Sequence, residues 1–289
     1  MKHPLILAIF FSLVASSLFS QGILPSSRAT GIDPLAQRAF SLPELKLRGM
    51  PIPIEYILNR LPNREAWSKF FSFYGKCLVY IDGKSGTPVN IMHQFPLIPG
   101  TGDNNKVTLD QISAVLGYPV TSVTNNVVVD LFDHFVRDNS EVLAIDVNQL
   151  GEHKVFQTNN DLWQVNISQQ LNGIPVRDSR LGGTVSHGNL AVFGLTRWKN
   201  VSISTSPKIS AQQAYNIGFD YAGGRSSNDE IWKEAALEIV TVDTGGENYS
   251  HRLLWIFGFR RVPFIASWEV LVDAHTGQMV AFRDVNQYL

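Results

Sequence analysis

The sequence predicts an α+β fold in which antiparallel sheets are each packed by a helix. Three observations predict it. Val128, Leu131, Phe132, Phe135 and Val136 fall on one face of a helix, with the spacing that lays a helix on a sheet. Trp163, Val165 and Ile167 alternate with Gln164, Asn166 and Ser168, the period of a half-buried strand. A further helix, opening at Ser210, interrupts a run of strands instead of alternating with them, so helices are expected to lie across sheet faces.

Length and charge narrow the rest. A chain of 289 residues has room for about two domains. With 44% apolar residues and a net charge of −1, it is not an intrinsically disordered chain. A pI near 6.7 lacks the basic surplus that phosphate binding needs, so no nucleic-acid partner is expected. Cys77 is the single cysteine, which excludes an intramolecular disulfide and predicts a buried small hydrophobe.

The elements follow in order. Met1-Lys2-His3-Pro4 precedes an apolar run from Leu5 to Val14, broken only at Ser12, and small residues follow at Ala15, Ser16, Ser17 and Ser20. That is the order of a secretory signal peptide over 1–22. The competing reading, a membrane anchor, needs about 20 apolar residues, more than this run supplies. The chain is therefore expected to be secreted, extracellular or periplasmic, with no stable membrane insertion after cleavage. Six prolines between Pro25 and Pro62 predict a segment with little regular structure and one short helix at Glu55–Asn59. Asn63 caps a helix bearing Ala66, Trp67, Phe70, Phe71 and Tyr74, and a strand Cys77–Ile81 leads into the turn Asp82-Gly83-Lys84-Ser85-Gly86. A Pro/Gly/Asn loop follows from Phe95 to Lys106. Thr108 with Gln111 forms a capping box, closed by Gly117.

Thr124 or Asn125 then opens the helix that carries Val128 to Val136. Strands follow from Glu141, with Gly182-Gly183, His187-Gly188-Asn189 and Gly245-Gly246 read as turns. Ser210 and Gln213 form a second capping box, and Gly223-Gly224 stops that helix. Strands are expected near 236–242, 251–259, 266–272 and 278–283. A weak internal repeat aligns Val79–Val89 with Val270–Val280: strand, Asp, two residues, Ser or Thr, Gly, strand. In both copies Asp can accept turn amides and Gly can take positive φ. The expected divisions are a signal peptide at 1–22, a Pro-rich segment with a hairpin half at 23–123, and modules at 124–205 and 206–289.

Catalytic patterns are sparse. His-Glu-x-x-His, Gly-x-Ser-x-Gly and a phosphate-binding loop do not occur. His134, His153, His187, His251 and His275 have no second histidine within a helical turn, so no metal and no cofactor is expected. Asp130 with Asp133, and Asp229 with Glu230, read as solvated flank charges, and His275 as an exposed turn residue. Asn166, Asn200 and Asn248 each open an Asn-x-Ser sequon; Asn166 falls in a strand, where chance explains it better.

Two motifs in sequence carry a family resemblance. Phe135-Val-Arg-Asp-Asn139-Ser-Glu-Val-Leu143 followed by Gln169-Gln-Leu-Asn-Gly173-Ile-Pro175-Val176 resembles the thermolysin/fungalysin-type metalloprotease propeptide (FTP) module, with Ser186-His187-Gly188-Asn189-Leu190 at its hairpin. Lys208-Ile-Ser210-Ala-Gln-Gln-Ala214 resembles the opening of a PepSY module, and Trp268-Glu-Val-Leu-Val-Asp273-Ala-His-Thr276-Gly277 resembles its closing hairpin. The likeness covers roughly 125–288, and the Asp82–Gly86 hairpin looks like a degenerate PepSY-like half. Val165-Asn-Ile-Ser-Gln-Gln and the turn Arg177-Asp-Ser-Arg180 depart from the family pattern, and no protease domain follows before Leu289.

The resemblance implies cystatin-like/PepSY-like halves and a secreted, non-catalytic protein without cofactor. Such a protein inhibits a secreted metalloprotease domain or assists its folding, in cis or in trans. Edge-strand pairing is the implied route. The motif residues Gln170, Gly173, Ile174, Pro175, Val176, Gly188, Asp273, Thr276 and Gly277 are expected to determine the fold, not to contact the partner. Two other readings stay open. One is a secreted peptide- or glycan-binding module using Trp198, Trp232 and Trp255. The other is the N-terminal part of a longer secreted enzyme whose catalytic domain lies beyond Leu289.

Overall fold

The computed structural model describes residues 33–286, so the signal-peptide reading of 1–22 lies outside the described residues. The proline-rich segment forms 3-10 turns and two short strands, β1 (Phe40–Ser41) and β2 (Pro51–Pro53). The helix expected at Glu55–Asn59 is instead two 3-10 turns, Ile54–Tyr56 and Leu58–Arg60. Pro53 and Pro62 leave too little chain between them for a stable α-helix.

The helices are α1 (Arg64–Tyr74), α2 (Leu109–Leu116), α3 (Asn125–Asp138), α4 (Ser140–Leu143) and α5 (Ala211–Tyr221). Thr108 and Ser210 make complete capping boxes with Gln111 and Gln213. Asn63 precedes α1 without capping it; its amide instead donates to Glu141 O and Val142 O, tying α1 to α4. The remaining strands are β3 (Leu78–Asp82), β4 (Pro88–Pro96), β5 (Leu150–Asn159), β6 (Leu162–Leu171), β7 (Ile174–Ser186), β8 (Asn189–Thr196), β9 (Asp229–Val242), β10 (Ser250–Arg261), β11 (Ser267–Asp273) and β12 (Met279–Asp284).

These strands correct the expected fold class. They do not form separate antiparallel sheets, each with its own helix, in cystatin-like/PepSY-like halves. They form one mixed 12-stranded sheet in the order β1-β12-β11-β10-β9-β7-β8-β4-β3-β2, with β6 and then β5 branching from β7. The joint is one parallel bridge, Val176 to Ile239. β7 is paired with β6 from its first residue, but its ladder with β8 begins only at Arg180, and on that side Val176 reaches β9. Periodicity reports which residues are strand, but not which distant strand they meet.

Gly182-Gly183 is a second correction. The pair lies inside β7, paired on both sides, and is not a turn. A Cβ on Gly183 would stand 2.5 Å from the ring of Phe132, so glycine here lets α3 sit close on the sheet. Around it the register builds a core row, Val155, Val165, Gly183, Phe193, Ile91 and Val79, which faces the helices. Val128, Leu131, Phe132 and Val136 of α3 and Trp67 and Phe70 of α1 close this core. A second core lies under α5, formed with Phe257, Phe259, Trp268, Val270 and Phe282. On the opposite face of those strands, Leu42 and Leu45 of the proline-rich segment cover Val240, Leu254, Ile256 and Leu271.

The two repeat turns match bond for bond. Asp82 Oδ1 accepts from Lys84 N and Ser85 N, and Asp273 Oδ1 accepts from His275 N and Thr276 N. Gly86 N donates to Asp82 O and Gly277 N to Asp273 O, both at 2.9 Å, with φ of 74° and 75°.

Gln169, one position before the motif residue Gln170, is fully buried. It donates to Gln149 Oε1 and Lys199 O, both at 2.9 Å, and accepts from Ser179 Oγ at 2.6 Å. Gln149 in turn accepts from Val201 N, so the irregular strap of residues 197–209 after β8 is fastened to β6. Gln169→Ala leaves several buried groups unpaired and is expected to lower the unfolding free energy by about 2–3 kcal/mol, read by urea denaturation. Gln170, with one 3.4 Å bond to Leu150 O, is expected to change it by less than about 0.5 kcal/mol when replaced by Ala.

Candidate functional site

The nine motif residues are distributed along turns and the sheet joint, not gathered in a cleft. Asn172 and Gly173 both have positive φ and turn β6 into β7, as a two-residue hairpin with matching twist requires. Ile174 and Pro175 open β7, opposite Leu171 and Gln170. Val176 is buried with Val201, Ile239, Leu253 and Ala274 at the joint. Gly188 turns β7 into β8, and a Cβ there would meet Ile98 O at 2.6 Å because the 97–106 loop wraps this turn. Asp273, Thr276 and Gly277 shape the β11–β12 turn, where Asp273 also pairs with Arg252 at 3.2 Å.

The other singled-out residues separate in the same way. Trp198 is fully buried, and half-buried Trp255 donates to Ile209 O at 2.9 Å. Trp232 alone of those three is exposed, at 42%. Asp130 accepts from Tyr118 Oη, Asp133 from Arg137 and His153, and Asp229 from Arg261. His275, expected to be exposed, is half-buried with Nε2 unpartnered. Cys77 is half-buried rather than buried, and burial pushes its thiol up to about 11, so it is protonated at neutral pH. Asn200 is held by Asp146 N, Trp198 Nε1 and Ala144 O, whereas Asn248 is exposed in the loop after β9. Among the described residues, no group of three His, Cys, Asp or Glu stands where it would hold a metal ion. No helix among them is long and apolar enough to cross a membrane.

Three features remain where side chains or backbone are free to act. The first is β5. It pairs with β6 on one side and with no described strand on the other. Its ten residues contrast with β1 and β2, which end the main sheet path with two and three. His153, facing α3, meets Asp133 at 2.9 Å. On the other face Glu152 and Lys154 pair at 3.0 Å, and Phe156 is 57% exposed. The register extends Phe156 into a row across the uncovered sheet face: Gln164, Thr184, Val192, Met92 and Leu78. A strand added to β5 would set alternate side chains beside this row.

The second feature is a charged cluster over β7, β9, β11 and β12. Glu269 is 2% exposed, between Trp268 and the apolar run Val270 to Val272 in a fully buried strand. It accepts from Arg177 at 2.7 Å and from Arg283 at 3.1 and 2.8 Å. Burial alone raises a carboxyl pKa, but the two guanidinium groups outweigh it and hold Glu269 below the usual range. Sequence spacing misses this cluster because only strand register brings its members together. A glutamate inside Trp268-Glu-Val-Leu-Val was the available signal.

The third is a polar junction beside the joint. Lys84 of the first repeat turn pairs with Asp243 at 2.5 Å, and Tyr249 Oη donates to Asp82 Oδ2 at 3.3 Å. Burial, with Asp82 beside it, pushes the Tyr249 phenol up to about 12. His251, whose Nε2 is buried without a partner, is driven down to about 4 by burial and by nearby Lys199.

No family model matches the chain, and no curated protein matches it. Among solved structures, the Bacillus megaterium YpeB C-terminal domain aligns over 73% of this chain and 77% of its own, at 15% identity and a TM-score of 0.32.

The junction has a consequence for acid stability. The folded state keeps His251 neutral to about 4, whereas an unfolded histidine takes up its proton near 6.5. Unfolding therefore binds more protons in that window, and stability falls as pH drops from about 6.5 towards 4. Glu269 contributes stability that is present above its ordinary value of 4.5 and lost as pH falls through its lower folded value. Urea midpoints measured against pH should show both declines. His251→Gln is expected to flatten the upper one and leave the lower one in place.

Proposed function

We propose that this chain is a secreted, non-catalytic scaffold that binds an extended polypeptide segment along β5, and that its partner is a secreted metalloprotease, which it inhibits or helps to fold. The observation that carries the reading is the free side of β5: a ten-residue strand paired with a described strand on one side only, which itself carries exposed Phe156. Backbone pairing supplies affinity in strand addition, and alternate side chains supply selectivity. The apolar start of the chain and the order of its propeptide-like motifs support the secreted protease setting.

The same edge would serve a peptide-binding module without a protease, and activity separates the two. The purified chain is expected to slow peptide hydrolysis by a thermolysin-like secreted protease at micromolar concentration. Phe156→Glu is expected to weaken that inhibition at least about ten-fold, since burial of an aromatic side chain is worth about 1.5–3 kcal/mol. If no protease in a varied set responds to the wild-type chain, the protease partner is wrong. If Phe156→Glu inhibits as well as wild type, β5 is not the contact.

A further inference from the structure

We propose that the pocket where β7 crosses to β9 binds a small oxyanion, a carboxylate or phosphate group, through Arg177, Arg197 and Arg283. The pocket measures about 40 Å³, and Asp178 and Thr241 line it together with these three arginines. By the same measure one water needs roughly 10–15 Å³, so the space is that of a few waters and suits one small head group, not a whole nucleotide. Guanidinium groups present planar, paired donors that match such a group.

The local charge balance favours an anion. Arg177, Arg197, Arg283 and Lys233 give four positive charges, against three negative ones from Asp178, Glu238 and Glu269. Glu269 alone serves both Arg177 and Arg283. Among the described residues Arg177 Nη1 has no hydrogen-bond partner, and a Glu238 carboxylate oxygen lies 3.8 Å from it.

Backbone geometry at the rim is a separate observation. Asp178 and Arg197 both hold positive φ, at 58° and 51°, and pair with each other at 2.8 Å. A side chain in that conformation costs about 1–3 kcal/mol and persists where the surrounding structure requires it, commonly at binding sites. The Asp178 carboxylate is 60% exposed and free to swing away. In this arrangement Asp178 stands in for the ligand: it occupies Arg197 until an incoming oxyanion takes its place.

The site is separate from the β5 edge, and its test is independent of the protease reading. The full chain is titrated with inorganic phosphate at constant ionic strength while the arginine side-chain NMR signals are followed. Saturable shifts are expected. Arg197→Ala should weaken binding about ten-fold, the loss of one charge-assisted hydrogen bond. Asp178→Asn should tighten it, a gain that a misfolded variant could not show. Short peptides with a free or an amidated C-terminus form the second arm. A response to the free-acid peptide that amidation abolishes names a peptide carboxylate as the ligand, and a response to phosphate alone names a free oxyanion. Shifts that rise without a plateau for every probe, or an Asp178→Asn chain no tighter than wild type, overturn the proposal.

Discussion

One parallel bridge, Val176 to Ile239, makes a single sheet out of two antiparallel stacks. A bridge of one residue pair is weak by itself, because hydrogen bonds contribute only about 1 kcal/mol each after exchange with water. What holds the joint is the material packed on it. Val176, Val201, Ile239, Leu253 and Ala274 form a small apolar cluster across the joint. The Gln149–Gln169 amides fasten the strap on one side. Lys84–Asp243 and Tyr249–Asp82 tie the first repeat turn to the loop after β9 on the other. The motif sequence Gly173-Ile-Pro-Val176 is thus the place where the chain leaves one stack to touch the next. Its glycine makes the turn, its proline gives no amide to a ladder, and its valine fills the joint.

How much of this could be read from the sequence depended on range. Local chemistry was legible. Thr108 with Gln111 and Ser210 with Gln213 announce helix starts, and Asp82…Gly86 and Asp273…Gly277 announce one turn used twice. Register was not legible. Gly182-Gly183 reads as a turn because two glycines lack side chains to pack, yet here they admit Phe132. The Arg177–Asp178–Ser179–Arg180 stretch reads as a turn and is instead the kinked part of β7, with Asp178 at positive φ. The candidate sites lie at the far end of the same limit. Arg177, Glu269 and Arg283 are brought together only by the pairing of β7 through β12, and a free edge is defined by a strand that does not pair.

The proline-rich segment illustrates the point. Its composition predicts little regular structure, and its strands are only two and three residues long. Even so, β1 pairs with β12 and β2 with β3, so one stretch of chain ends the sheet path at both extremes. Between them Leu42 and Leu45 cover the apolar face that α5 leaves open. Pro51 and Pro53 suit β2 to this position, because a strand without those amides is a poor template for another chain. Irregularity is therefore what this segment contributes: it covers and ends a sheet without extending it.

The same logic distinguishes the edges that remain. The first half of β9 also has no described strand neighbour beyond β10, but two register shifts between Ala236 and Ile231 distort it, and Tyr215 Oη accepts its Ala235 amide at 2.8 Å. In β5 the shifts fall near the two ends, so His153 to Gln157 runs in regular pairing with β6. Its two charged residues, Lys154 and Glu152, pair with each other on one face of the strand. One chain thus blunts the ends of its sheet with short, proline-bearing strands, blunts β9 with bulges and a tyrosine, and leaves β5 regular with an aromatic side chain in solvent. An open edge by itself is weak grounds for a binding surface. An open edge among described strands whose other edges are blunted is a physical asymmetry, and the proposal of strand addition along β5 rests on it.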